Sequence, residues 1–270
     1  MDAPTQILLQ MAYRDHVREG KPLPPISDVG FKVFSQTDED GILLYLFSII
    51  GTGSKTCVEI CAGNGIECNC ANLIIHHGWT GLLVDGNDKF VRQGIEFYSK
   101  HPATFVYPPT FAHAWITRDN VNSLLESHGF GGEIDLLSLD LDGVDYWIWE
   151  AITVVQPRVV VVEYQDILGP DRALTVPYSD EFNGWAGPMT GSTPNYFGAS
   201  LAAFVKLARR KGYRLVGSNR LGYNAFFVRA GFGEKELPEI PVSDCFRHRK
   251  VSEGIRDRFP SIKDHAWVEV

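Results

Sequence analysis

The sequence predicts an α/β fold: a mostly parallel seven-stranded sheet with a closing antiparallel hairpin and helices on both faces. Three observations carry this. Short apolar runs near residues 56–61, 80–85, 103–107, 134–140 and 157–163 alternate with helical or loop segments of crossover length, as parallel strands covered on both sides require. The run PRVVVVEY is apolar throughout instead of alternating, which suits a central strand. Two final runs, YRLVGS and NAFFVRAG, are joined by Asn219-Arg220-Leu221-Gly222-Tyr223, a hairpin signal.

The elements follow in order. Residues 5–18 read as a helix, Lys21-Pro22-Leu23-Pro24-Pro25 breaks the chain, and residues 35–50 make a second helix. His76 and His77 close the first crossover helix before Gly78, where cationic rings suit the helix C-terminus. Trp147 and Trp149 lie two apart after the fourth strand, so on a helix they face different ways; one packs in the core and the other lines a pocket, or both are core anchors. Residues 166–198 are rich in Gly, Pro, Ser and Thr and carry Tyr178, Phe182, Trp185, Tyr196 and Phe197, so a long ordered loop is expected, either a lid or a structural wrap. A helix over 199–211 precedes the hairpin, and residues 231–270 form a mixed-charge tail.

Composition bounds the function. At 44% hydrophobic and 12% aromatic residues the chain is globular, and no run approaches the ~20 apolar residues that cross a bilayer. The N-terminus lacks a basic leader, so a cytoplasmic protein without a membrane partner is expected. A formal net charge of -8 disfavours nucleic acid, and the Lys206–Lys211 stretch reads as a solvated helix face. The cysteines Cys57, Cys61, Cys68 and Cys70 crowd together, yet their spacing fits no zinc or iron–sulfur pattern; they read as reduced packing residues.

Residues 56–87 hold the strongest chemical signal. An apolar run ends at Ala62-Gly63-Asn64-Gly65, where small residues let the backbone turn sharply and approach a ligand. Asp85 ends the next apolar run about 20 residues on, the distance at which a Rossmann-like pocket sets a carboxylate against ribose hydroxyls. With glycines only at Gly63 and Gly65, the turn is not a pyrophosphate cradle. A second constellation, EIDLLSLDLDGVDYWIWEAI, delivers Asp140, Asp142 and Asp145 at the end of the fourth strand, and Glu163 ends the fifth. Three close carboxylates need solvation, hydrogen-bond donors or a positive group.

The glycine turn resembles the E-x-G-x-G-x-G motif of class I S-adenosylmethionine (SAM) methyltransferases, matched by Glu59, Gly63 and Gly65 and broken at Cys61. Together with SQTDEDGI near residue 35, the acid–glycine turn after the fourth strand and NAFFVR near residue 224, residues 31–230 resemble the FkbM-type branch of that family. The resemblance implies a helical extension over 1–34, a SAM-binding domain over 35–230 with an insert or lid at 166–198, and a tail over 231–270. It implies cofactor contacts from Gln36, Glu59, Ala62, Gly63, Asn64, Gly65, Asp85, Gly86, Asn87, Asp140 and Leu141, with Ser35 and Asp40 near the amino-acid end of SAM; an N-cap is the competing role for Ser35. The expected catalytic groups are Asp142, Glu163 and Tyr164, with His113 a further candidate base. Metal-dependent O-methyltransferases also place acids at these strand ends, so Asp140 or Asp142 with Glu163 or Asp166 are candidate Mg²⁺ ligands; the opposing expectation is no metal.

The resemblance implies methyl transfer to a small-molecule acceptor, on oxygen or nitrogen. The alternatives are an enzyme that spends SAM by cyclisation, elimination or another group transfer, and a non-catalytic binding module. The tail offers a possible homodimer contact. The acceptor stays open among polar, cationic, phenolic, sugar and carboxylate compounds.

Overall fold

The structure, a computed structural model, describes residues 1–182, 184 and 194–270. Seven strands form the main sheet in the order β3-β2-β1-β4-β5-β8-β7. β1 (Thr56–Ile60), β2 (Thr80–Asp85), β3 (Thr110–His113), β4 (Gly132–Leu139) and β5 (Val155–Glu163) are parallel. β8 (Asn224–Arg229) runs antiparallel to β5, and β7 (Tyr213–Ser218) antiparallel to β8, so the hairpin closes the sheet as the sequence indicates.

Alternate residues of each strand point to opposite faces, and the core divides accordingly. Val58, Ile60, Leu137, Leu139, Val160, Val162 and Phe227 pack toward α6 (Asp145–Ala151) and α7 (Leu201–Arg210). Cys57, Leu83, Leu136, Val159, Val161 and Phe226 pack toward α2 (Glu39–Ile50) and α3 (Ala71–His77). Continuous apolar strands are needed because neither face meets water.

Two expected elements move. The apolar run at 103–107 is a turned segment after α4 (Asp88–Lys100), with Phe105, Val106 and Tyr107 at 59%, 78% and 75% exposure. Pro108 and Pro109 have no N–H for a ladder, so β3 begins only at Thr110. The helix expected from residue 35 starts at Glu39, because the Asp40 carboxylate accepts the N–H groups of Val33, Phe34 and Ser35 at 2.7, 2.6 and 2.8 Å and folds that stretch into a loop. Ser35 Oγ in turn accepts the Asp40 N–H, a local cap.

Helix α1 (Ala3–Glu19) packs on α2, and its buried Gln6 reaches the end of α3. There it meets His76 Nδ1 at 2.9 Å and His77 Nε2 at 2.8 Å, so these rings clip α1 to α3 instead of serving the helix C-terminus, which Gly78 caps. The tail also packs: α8 (Arg249–Asp257) lies on residues 166–168, and β9 (Val268–Glu269) pairs with β6 (Leu174–Thr175). Trp185 lies outside the described residues. No described helix is long and apolar enough to cross a membrane.

Candidate functional site

The carboxyl ends of β1 and β2 build one half of the site. After Ile60 the chain turns through Cys61, Gly63 and Gly65, all with positive φ (63°, 57° and 70°). That conformation strains a residue with a Cβ by about 1–2 kcal/mol, which explains why the motif elsewhere sets a glycine where this chain has Cys61. Gly65 is needed for a second reason, since a Cβ there would lie 2.7 Å from Leu83 and 2.9 Å from Phe111. Gly63 faces open space, and its N–H donates to Asp85 Oδ2 at 2.8 Å. Asp85 Oδ1 accepts the Asn87 N–H at 2.7 Å. Each carboxylate oxygen thereby keeps lone-pair capacity for a further donor. Burial raises the Asp85 pKa against these two backbone donors.

A cavity of about 810 Å³ opens above this junction, walled by Cys61, Gly63, Asp85, Gly86 and Asn87 on one side and by Asp140, Leu141 and Asp142 on the other. Phe90, Trp115 and Phe182 also line it. Trp115 is fixed by donating Nε1–H to the Asp180 carbonyl at 2.6 Å, and its ring lies over Gly86, where a Cβ would come within 3.1 Å. Sequence reasoning missed Phe90 and Trp115. Placing the third strand at 103–107 hid the fact that Trp115 stands just beyond its end, and His113, opposite Asp85 in the ladder, lines the same wall.

Several expected contacts do not reach the cavity. The buried Glu59 carboxylate accepts the N–H groups of Asn69 and Cys70 at 2.9 and 2.7 Å, holding the approach to α3. The side chain of Asn64 accepts the Ile66 N–H, and Ala62 is packed in the core. Ser35 and Asp40 are taken up with each other and with the neighbouring backbone, and Gln36 is exposed, its carbonyl bound by Lys32. Tyr164 follows Glu163 along the strand and so faces the opposite way; its hydroxyl donates to the Cys245 carbonyl and its ring packs on Phe246. Trp149 is core and Trp147 donates to the Val176 carbonyl. Asp166 is paired with Arg258 at 3.0 Å. The five cysteines are free thiols, and burial holds the Cys61 thiol well above its ordinary pKa, against thiolate chemistry.

The ends of β4 and β5 build the other half. Asp145 accepts the N–H groups of Leu141 and Gly143 at 2.6 and 3.1 Å and fixes the turn; burial pushes its pKa up to about 6. Asp142 sits there at φ 51°. Phe182 packs so closely on Gly143 that a Cβ would come within 2.5 Å. Asp140, Asp142 and Glu163 bring one oxygen each within 4.8 Å of one another, an arrangement that can hold a cation or share a proton. Burial, then repulsion from Asp142, pushes Asp140 up to about 8, and burial with repulsion from Asp140 raises Glu163.

No model of a known protein family matches the chain, and no curated protein matches it. Solved structures do resemble it. A magnesium protoporphyrin IX methyltransferase from Synechocystis PCC 6803 with bound SAM is 14% identical over 71% of this chain and 78% of that one, with a TM-score of 0.42. The glycopeptide N-methyltransferase MtfA, complexed with SAM, is 11% identical over 67% and 84%, at 0.41. PKMT2 from Rickettsia typhi, in complex with AdoHcy, is 10% identical over 77% and 55%, at 0.46. Likeness at this level identifies neither cofactor nor reaction in this chain.

Proposed function

We propose that the chain is a SAM-dependent methyltransferase for a small-molecule acceptor, of the FkbM type its motifs resemble. The observation that carries this is the junction at Asp85: a carboxylate held by the Gly63 and Asn87 N–H groups at the floor of an 810 Å³ cavity, with capacity left for two neighbouring hydroxyls. Asp85 takes the ribose, and the faces of Trp115 and Phe90 take the base. Cys61 lines the cavity without closing it, which supports a working pocket over a scaffold that has lost its ligand.

SAM, when bound, supplies a methyl group on a sulfonium. The carboxylates Asp140 and Asp142 favour positive charge at that end of the cavity. Glu163, beside Asp140 on the adjacent strand, is the proton acceptor for an acceptor group that loses a proton. Incubation of the purified protein with labelled SAM and fractionated metabolites, followed by mass spectrometry of the spent cofactor, tests the reading. The expected product is S-adenosylhomocysteine together with label in an acceptor. Methylthioadenosine would establish cyclisation or elimination instead, and no turnover together with no SAM-dependent rise in melting temperature would establish a non-catalytic module.

A further inference from the structure

We propose that the cleft between residues 23–27, β7 and the tail is a second ligand site, for a small molecule that carries one anionic group on an apolar body. The cleft encloses about 540 Å³ and shares no lining residue with the cavity at Asp85. That volume suits a small organic ligand. Its floor is apolar, made by Leu23, Ile26, Val216, Leu237 and Ile240.

The walls are fixed before any ligand arrives. Tyr45 donates its hydroxyl to the Pro24 carbonyl at 2.7 Å, and Ile26 lies on Gly217, where a Cβ would come within 2.8 Å of it. The tail is tied along β7, the edge strand of the sheet: the Ile240 N–H donates to the Leu215 carbonyl at 3.0 Å, and Arg214 Nε donates to the Leu237 carbonyl at 2.9 Å. A site held in this way spares its ligand the cost of ordering it.

One end of the cleft favours an anion. β7 ends at Ser218, Arg220 lies just beyond it, and the tail returns there, since a Cβ on Gly222 would come within 3.6 Å of the Cys245 carbonyl. Arg220, Arg247 and His248 therefore line the same end. Asp38 takes the Arg220 backbone N–H at 3.3 Å, while the exposed guanidinium makes no hydrogen bond or ion pair among the described residues. Arg247 pairs with Asp244 at 2.8 Å, but their side chains are 76% and 36% exposed, and so open a pair is weak enough to share its cation. His248 Nδ1 accepts the Lys250 N–H at 3.2 Å as the cap of α8, so the neutral ring carries its proton on Nε2 and donates from there. The positive end of α8 adds the same sign. The remaining carboxylate of the lining, Glu236, precedes Leu237, on the part of the tail tied to the start of β7. A ligand with its anion at Arg220 and hydrocarbon along β7 satisfies both ends.

The cleft stands apart from the cofactor reading, so the test is run without SAM. Full-length protein is titrated calorimetrically with octyl phosphate and with octanoate, each below its micelle-forming concentration, with octanol and octylammonium as controls. The expected result is one saturable site per chain for at least one anion, with affinity at least about tenfold above that of either control and lowered about tenfold in Arg220→Gln. A stronger octyl phosphate assigns the site to phosphate esters, and a stronger octanoate to carboxylates. No saturation by either anion below about 1 mM, equal binding of octanol or octylammonium, or unchanged affinity in Arg220→Gln overturns the proposal. So does displacement of the anion by S-adenosylhomocysteine, which would put it in the other cavity. Should Arg220→Gln fail to fold, Arg247→Gln decides by the same criterion. A protein that binds the anion but not S-adenosylhomocysteine removes the cofactor reading alone, and the converse removes the cleft alone.

Discussion

The two halves of the sheet's carboxyl edge are made differently. Over β1 and β2 the cavity wall is largely main chain: a strained turn, glycines at Gly63 and Gly86, and one carboxylate whose oxygens are each steadied by a backbone N–H. Over β4, β5 and β8 it is side chain and charge: Asp140, Asp142 and Glu163 crowd together, with Asn224 alongside. A wall of backbone amides fits a ligand of fixed shape whose polar groups recur. A wall of crowded carboxylates fits positive charge and proton transfer. On the proposed function, recognition of a nucleoside falls to the first half and chemistry to the second.

Substitutions can break that contrast or sharpen it. The largest effect is expected at Glu59, which supports the backbone half from beneath. Glu59→Ala leaves the buried N–H groups of Asn69 and Cys70 without an acceptor and should lower stability by about 3 kcal/mol, at ~1–3 kcal/mol for each, read from denaturant unfolding. Stability within error of the wild type would show that the frame does not depend on this carboxylate. Next is Asp85→Ala, expected to weaken S-adenosylhomocysteine binding by about 10–100-fold, since hydrogen bonds to a charged group contribute ~1.5–3 kcal/mol. Glu163→Gln in the other half should leave that affinity within a few-fold, and equal losses in both variants would erase the division of labour.

Cys61→Ala should follow, costing about 1–2 kcal/mol relative to Cys61→Gly, because a residue with a Cβ is strained at φ 63°. Equal melting temperatures would show that the turn relaxes. The smallest effect lies at the far end of α3. Burial, reinforced by His76 and Lys55, lowers the His77 pKa from 6.5 to about 4, so the fold favours the neutral ring. Its contribution is present above pH 6.5 and is lost as pH falls toward 4. Thermal melts across that window should fall more steeply for the wild type than for His77→Gln; parallel curves would show that the Gln6 clip does not sense the proton.

Much of the backbone half was legible in the sequence, because its parts are local: the glycines and Asp85 sit at spacings that a strand–turn–helix–strand unit enforces. The acid turn was legible for the same reason. What failed were features set by tertiary context. Phe105, Val106 and Tyr107 look like a strand until Pro108 and Pro109 are weighed, and moving β3 to Thr110 is what brings Trp115 to the cavity. Tyr164 was misplaced through side-chain parity, being one residue past the last position of β5 and on the other face from Glu163. Glu59 and Asp40 carry the acidic signature of a ligand site yet spend it on backbone N–H groups, a use that sequence cannot separate from ligand binding. The β6–β9 pair joins two-residue strands, too short for any periodicity to announce.

Calorimetric titration of S-adenosylhomocysteine into the purified protein tests the central claim most directly. A single saturable site in the wild type, lost or strongly weakened in Asp85→Ala, is the expected result. No heat of binding at millimolar ligand, or an affinity that ignores Asp85, would contradict it.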